Sequence, residues 1–218
     1  MPLIRNYDNY LNSWDACHSS DNYLNSKIDD NFRFFFSEYI KLNNSYPVLD
    51  YGCGNGSHIS FLKDHQINIS GCDISDIGIN KKSSNVSDYF KTCDGMHVPF
   101  SNELFSHAYS INCIDFMSWE NANAVIPEIY RVLISNGYLY LDIASDGHII
   151  KDEMSFIESK EVKILDDIHV QACHFSRLKI TRLLDPLFKI ISCELKPGYD
   201  LITSTSIKRW HVICQKIG

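Results

Sequence analysis

The stretch of this sequence most suited to chemistry is Asp50-Tyr51-Gly52-Cys53-Gly54-Asn55-Gly56, where a carboxylate precedes three glycines in five residues. Glycine tolerates positive φ and lets a ligand press against bare backbone. A plain strand-to-helix turn is the alternative, but it needs fewer glycines. The spacing is GxGxG, not the GxGxxG that brings a helix N-terminus to a pyrophosphate, so a dinucleotide is disfavoured. Asp50 would repel a diphosphate and suits a cationic ligand portion such as an amino-acid ammonium group. Two more carboxylates close later apolar runs. Asp73 follows Ile67 to Cys72, a place from which a carboxylate accepts from two ribose hydroxyls or, alternatively, caps a helix. Ile74 beside it offers an apolar surface to a purine ring. Asp94-Gly95-Met96 ends a third run, where Asp94 can accept from a purine amino group and Met96 can cover the ring.

These residues act together only if the fold brings their loops to one edge. Val48 to Tyr51 is a short apolar run, and His58 to His65 after the glycine loop reads as a helix. Ile67 to Cys72 is a second strand, with a helix from Ser75 to about Lys82. Tyr89 to Cys93 and Phe105 to Ile114 are further strands, and Asn121 to Leu133 has helical spacing with a stop at Asn136-Gly137. Tyr138 to Ala144 is a fifth strand. Ser145 to Asp167 breaks the rhythm and reads as an insertion. A helix over Phe175 to Leu184 then precedes strands Phe188 to Leu195 and Ser206 to Lys216, joined by a turn at Pro197-Gly198. Five βα-type units and a final hairpin predict an α/β, Rossmann-like doubly wound sheet of about seven strands, mainly parallel with an antiparallel last strand and helices on both faces. Ligands in such sheets bind beyond the carboxyl ends of the strands where the order reverses. The expected organisation is a single domain over 1–218, with a cap at 1–45, a cofactor-binding core at 46–144, the insertion at 145–170, and a late helix and hairpin at 171–218.

VLDYGCGNG (Val48 to Gly56), GCDIS (Gly71 to Ser75), CDGMHVPF (Cys93 to Phe100), FSHAYSINCIDFM (Phe105 to Met117) and EIYRVLISNGYLYLDI (Glu128 to Ile143) together resemble the class I S-adenosylmethionine-dependent methyltransferases. Within them the chain looks most like the small-molecule group related to the ubiquinone and menaquinone C-methyltransferases. The resemblance covers roughly Tyr46 to Ile143, and HFSRLKITRLL (His174 to Leu184) extends it more loosely. It implies S-adenosyl-L-methionine as cofactor, in-line transfer of its methyl group to a small-molecule acceptor, and S-adenosyl-L-homocysteine as product. By the same resemblance Asp50, Gly52, Cys53, Gly54 and Asn55 line the methionine side, and Asp73 and Ile74 meet the ribose and adenine. Asp94, Gly95 and Met96 fall at the adenine edge, and Asn112 near the sulfonium. Two positions depart from the family pattern: Ser106 stands where Asp is usual, and Ser135-Asn136-Gly137 replaces Pro-Gly-Gly. Neither falls among the cofactor residues.

A sulfonium is already a strong methyl donor, so orientation of the acceptor is the main requirement, and a general base serves only a neutral hydroxyl or similar group. Candidates for acceptor-side chemistry are Asp115 after the fourth strand, His148 after the fifth, His174 before the late helix, and His18 with Tyr7 and Trp14 in the cap. Each histidine has the alternative of a solvated or core role. His97 is expected to face solvent, and Phe32 to Phe36 (FRFFF) reads as core or, alternatively, as an acceptor-pocket wall. No His, Asp and Glu cluster has metal-ligand spacing. A net charge of -7 and a pI near 5.7 argue against nucleic acid as partner, and Lys208-Arg209 is too short a basic patch to reverse that. The eight cysteines form no CxxC pair and read as reduced thiols. With no leader-like or membrane-length apolar segment, the expectation is a cytoplasmic monomer or homodimer that does not insert in membranes. A non-catalytic, cofactor-binding regulatory relative is the alternative from another class. An NAD-dependent reductase would need GxGxxG and a Tyr-x-x-x-Lys pair, which are not in place.

Overall fold

Apolar runs too short for helices become strands, and those ending in the loops above align side by side. The computed structural model describes residues 7–19, 28–42, 45–80, 90–146, 160–165, 168–200 and 205–218. Strands β1 (Val48–Tyr51), β2 (Ile69–Asp73), β3 (Phe90–Thr92), β4 (Phe105–Ile111) and β5 (Leu133–Ala144) pair in parallel. A separate antiparallel ladder joins β6 (Lys160–Leu165) to β7 (Ile168–Ala172). The main sheet is completed by β8 (Phe188–Asp200) and β9 (Thr205–Lys216), and β9 runs antiparallel to both β5 and β8. The order β3-β2-β1-β4-β5-β9-β8 is the doubly wound sheet expected, and it reverses between β1 and β4.

Helices cover both faces. They are α1 (Tyr7–Ser19), α2 (Asp30–Phe35), α3 (Ser57–Asp64), α4 (Asp76–Asn80), α5 (Trp119–Val132) and α6 (Arg177–Leu184). All four residues of β1 are buried, as a strand covered on both sides requires. On one face Leu49, Ala108 and Leu139 of the sheet pack with Val125 and Ile129 of α5 and Ile180 of α6. On the other, Val48, Tyr109 and Tyr140 meet Phe32 and Phe35 of α2 and Ile59 and Leu62 of α3. Phe32, Phe35 and Phe36 of the aromatic run are therefore core, while Phe34 is exposed: α2 starts where the Asp29 carboxylate accepts the Phe32 N–H at 2.8 Å and continues as a π-helical turn over Phe36–Ile40.

Two local expectations are corrected. α5 ends at Val132 and the chain enters β5 directly at Leu133, so Gly137 is not a helix stop. Its place in β5 is explained by crowding: a Cβ there would lie 2.9 Å from the carbonyl oxygens of Ile134 and Ser106. The ladder between β4 and β5 shifts register between Phe105 and His107, so the two departures from the family pattern meet at one bulge. Second, Pro197-Gly198 is not the hairpin turn, because β8 pairs with β9 through Gly198↔Ile207 to Asp200↔Thr205. Proline is tolerated on an edge strand, where its missing N–H faces away from the ladder. Gly198 makes room for the Arg209 stem, whose Cγ and Cδ would lie 2.8 Å from a Cβ at that position. The end of the stretch read as an insertion carries β6, and β7 follows where the pattern was expected to resume near His169 and packs against α1 and the turn after β4. Residues 147–159 lie outside the described residues.

Candidate functional site

β1, β2 and β4 all end at one rim of the sheet, and their loops enclose about 880 Å³ of space, part of it open to solvent. The glycine loop is bent by Gly52 at φ 78° and Gly54 at φ 48°, a region that residues with a Cβ occupy at a cost. Space is equally limiting: a Cβ on Gly52 would lie 2.2 Å from Cys113 Sγ, and one on Gly54 would lie 2.9 Å from the His18 ring. Bare backbone is thus pressed between the post-β4 turn and α1.

Asp50 lines this pocket at 4% exposure. Burial pushes its carboxyl up to about 8, opposed by a hydrogen bond from Tyr109 and reinforced by the charge of Asp73. The Tyr109 hydroxyl donates to Asp50 Oδ2 at 2.9 Å. A carboxyl held this way favours a cation in the pocket, because a positive charge would offset the cost of ionising it. Asp73, also on the wall, accepts the Gly54 N–H at 2.8 Å on Oδ2 and the Ser75 N–H at 3.0 Å on Oδ1. It therefore braces the glycine loop and the start of α4 together.

Cys53, Asn55 and Ile74 also line the pocket, with Gly95 opposite them and Asn112 after β4. The Asn55 side-chain Oδ1 accepts from Ser57 Oγ at 2.7 Å. Asn112 adopts φ 52°, and its buried Oδ1 has no hydrogen-bond partner among the described residues. Two expected cofactor residues are not on the wall. Asp94 is turned to its own loop, accepting the N–H groups of Met96 and His97 at 2.9 and 2.7 Å and pairing with the His97 ring at 2.7 Å. Met96 is buried away from the opening.

The residues expected to be catalytic are not brought together at this pocket. Asp115 is 1% exposed and its Oδ2 accepts from Arg209 at 2.9 Å and from the Ala144 N–H at 3.0 Å. Arg209 also holds the Asp142 carboxylate. Asp115 is thus part of a buried ionic cluster and does not line the pocket. His174 is exposed and not on the wall, and His148 lies outside the described residues. The histidines that do line it are His18 of α1 and His58 of α3, together with Trp14 and Met117. Sequence reasoning passed over His58 and Met117. His58 is the second residue of α3, next to the glycine loop, which was the available signal. Burial pushes its imidazole down to about 4, between the rings of Phe32 and Tyr109.

α1 roofs the pocket through contacts with three of its loops. Ser75 Oγ donates to Asp15 Oδ1 at 2.6 Å, Trp14 packs edge-on to Phe116 at 5.5 Å, and the His18 ring lies against Gly54 and Gly78.

Residues 49–141 match the family profile of the methyltransferase domain. No curated protein sequence matches the chain. Solved structures do. A SAM-dependent methyltransferase from Methanosarcina mazei is 20% identical, with TM-score 0.71 over 88% of this chain and 99% of its own. The N-methyltransferase NodS from Bradyrhizobium japonicum, solved with S-adenosyl-L-homocysteine, is 13% identical, with TM-score 0.65 over 96% and 99%. A Haloferax volcanii methyltransferase, solved in complex with the activator Trm112, is 13% identical, with TM-score 0.69 over 96% and 98%. At these identities the likeness is one of fold.

Proposed function

We propose that residues 49–141, which match the family model of a methyltransferase domain, form a class I S-adenosylmethionine-dependent methyltransferase domain, and that the protein methylates a small-molecule acceptor bound between the glycine loop and α1. The observation that carries this reading is the buried carboxyl of Asp50 on the pocket wall, beside a glycine cradle that any Cβ would fill. Both features suit a cationic amino-acid end. The bound cofactor supplies an activated methyl group on its sulfonium and leaves as S-adenosyl-L-homocysteine.

In this reading Asp50 holds the ammonium, and the backbone of Gly52 and Gly54 lets the methionine portion approach. Asp73 orients the ribose while bracing the Gly54 and Ser75 N–H groups, and Ile74 and Gly95 flank the purine. Asn112 Oδ1, buried without a hydrogen-bond partner among the described residues, would offer a partial negative charge to the positively charged sulfonium end. Trp14 and Met117 bound the acceptor side and exclude water. With Asp115 engaged by Arg209, His18 is the group proposed to take a proton from a neutral acceptor. An anionic acceptor would need no base. The limited space under α1 supports a small acceptor over a macromolecule, and the reduced, acidic character of the chain supports a cytoplasmic setting. No helix among the described residues is long and apolar enough to cross a membrane.

The test is calorimetric titration with S-adenosyl-L-methionine and S-adenosyl-L-homocysteine, with NADH as control. Both adenosyl ligands should bind, and Asp73→Ala should weaken them by roughly 1.5 to 3 kcal/mol, the value of a charge-assisted hydrogen bond. Silence from both ligands would sink the reading. Unchanged affinity in the variant would remove Asp73 from the site. Turnover with a screened acceptor then separates an enzyme from a binding-only relative.

A further inference from the structure

Between Asp50 and Gly52 the chain places a tyrosine, 1% exposed, whose hydroxyl donates to the Gly95 carbonyl at 2.6 Å. Tyr51 ends β1 and Gly95 follows β3, with β2 between those strands in the sheet. The bond therefore reaches across a strand. Both partners line the pocket.

The loop from Cys93 to His97 is neither helix nor strand, so a few bonds must hold it. Its entry is tied where the Cys93 N–H donates to the Asp73 carbonyl at 2.8 Å. Its outer half is tied by the Asp94 carboxylate to the N–H groups of Met96 and His97. Its inner bend, at Gly95 with φ 76°, is tied by Tyr51. A phenyl ring would fill the same space without the hydroxyl, so what the hydroxyl adds is the bond to the buried Gly95 carbonyl.

We propose that Tyr51 is a positioning residue for the base end of the cofactor: by holding the Gly95 carbonyl it fixes the loop against which the purine lies, and so sets affinity through the adenosine half. This rests on the cofactor placement proposed above. Tyr51 touches the loop and acts on the ligand through it. Losing the hydroxyl leaves β1 and its packing intact and lets the Gly95 peptide turn, and the ligand must then restore the loop as it binds.

The experiment titrates the full chain with S-adenosyl-L-homocysteine and with 5′-methylthioadenosine, which carries the adenosine but no amino-acid end. Tyr51→Phe should weaken both ligands by the same factor, about ten-fold. Tyr130→Phe is the control: it removes another tyrosine hydroxyl from a carbonyl, that of Ile217 at 2.8 Å, at the opposite end of the sheet, and should leave both affinities unchanged. The proposal is overturned if Tyr51→Phe binds both ligands as the unaltered protein does, or weakens only S-adenosyl-L-homocysteine. A general folding defect would lower the active fraction without this shared shift in affinity. Should Tyr51→Phe not fold, amide exchange in the unaltered protein decides: Gly95 to His97 must slow on binding 5′-methylthioadenosine, and unchanged exchange refutes the role. If the unaltered protein binds neither ligand, the cofactor placement itself fails, a result visible before any variant is made.

Discussion

Asp50 shows how a single side chain acquires chemistry from its surroundings. Its carboxyl is raised to about 8 by burial, so at neutral pH the unliganded protein holds it largely protonated, and binding a cation must release that proton. Affinity for S-adenosyl-L-homocysteine should therefore rise between pH 6 and 8, by at most about ten-fold per unit. Calorimetry in buffers of different ionisation enthalpy should register the released proton. Asp50→Asn should abolish the release and flatten the pH dependence over that range. An affinity indifferent to pH in the unaltered protein would show that Asp50 does not face the ligand's charge. The sequence singled out this position, since a carboxylate before GxGxG is legible from spacing, and the structure places it on the pocket wall. It could not show the surroundings of Asp115, because nothing local to Asp115 reveals Arg209, 94 positions away.

The post-β4 turn, β5, the hairpin and β9 are fastened together by that arginine. Arg209 reaches over Gly198 to Asp142 and Asp115, and the Asp115 carbonyl accepts the Cys173 N–H at 2.7 Å just beyond β7. Removing the guanidinium would leave two buried carboxylates without their counter-charge, a loss of about 3 to 5 kcal/mol. Arg209→Met should lower the denaturation midpoint by a corresponding amount. If the midpoint moves by less than about 1 kcal/mol, the cluster is not holding these elements. A milder strain belongs to the glycine loop: Gly52→Ala must clash with Cys113 and adopt φ 78°, costing on the order of 1 to 3 kcal/mol, read by thermal unfolding. The same packing explains the misread boundaries. Gly198 and Gly137 look like turn signals in a linear reading, but each is small to admit a distant group, the Arg209 stem in one case and the Ser106 carbonyl in the other.

Across the protein, stability of the unliganded chain should follow two opposed titrations. Burial pushes His58 and His107 down to about 4. Their folded values lie below the unfolded value near 6.5, so the stability they preserve is complete above 6.5 and is lost as pH falls toward 4. Asp50 behaves oppositely: its folded value lies above the unfolded one, so its contribution improves as pH falls from 8 toward 4. The melting temperature should peak between about pH 6 and 7 and fall by on the order of 5 to 10 °C by pH 4.5. Saturating S-adenosyl-L-homocysteine should move the peak upward by relieving Asp50. A melting temperature that climbs steadily down to pH 4.5 would contradict the burial of both histidines.

The doubly wound sheet and the glycine loop were legible in the linear chain, because strand period, loop chemistry and chain order are local properties. The cofactor proposed above rests on several such motifs in the right order. The roof formed by α1, the β6–β7 hairpin, the state of the Asp50 carboxyl and the reach of Tyr51 to Gly95 were decided by tertiary structure alone. Each depends on desolvation or on partners brought close only when the sheet closes, as with Tyr51 and Gly95, 44 residues apart. No spacing rule along the chain encodes such a meeting.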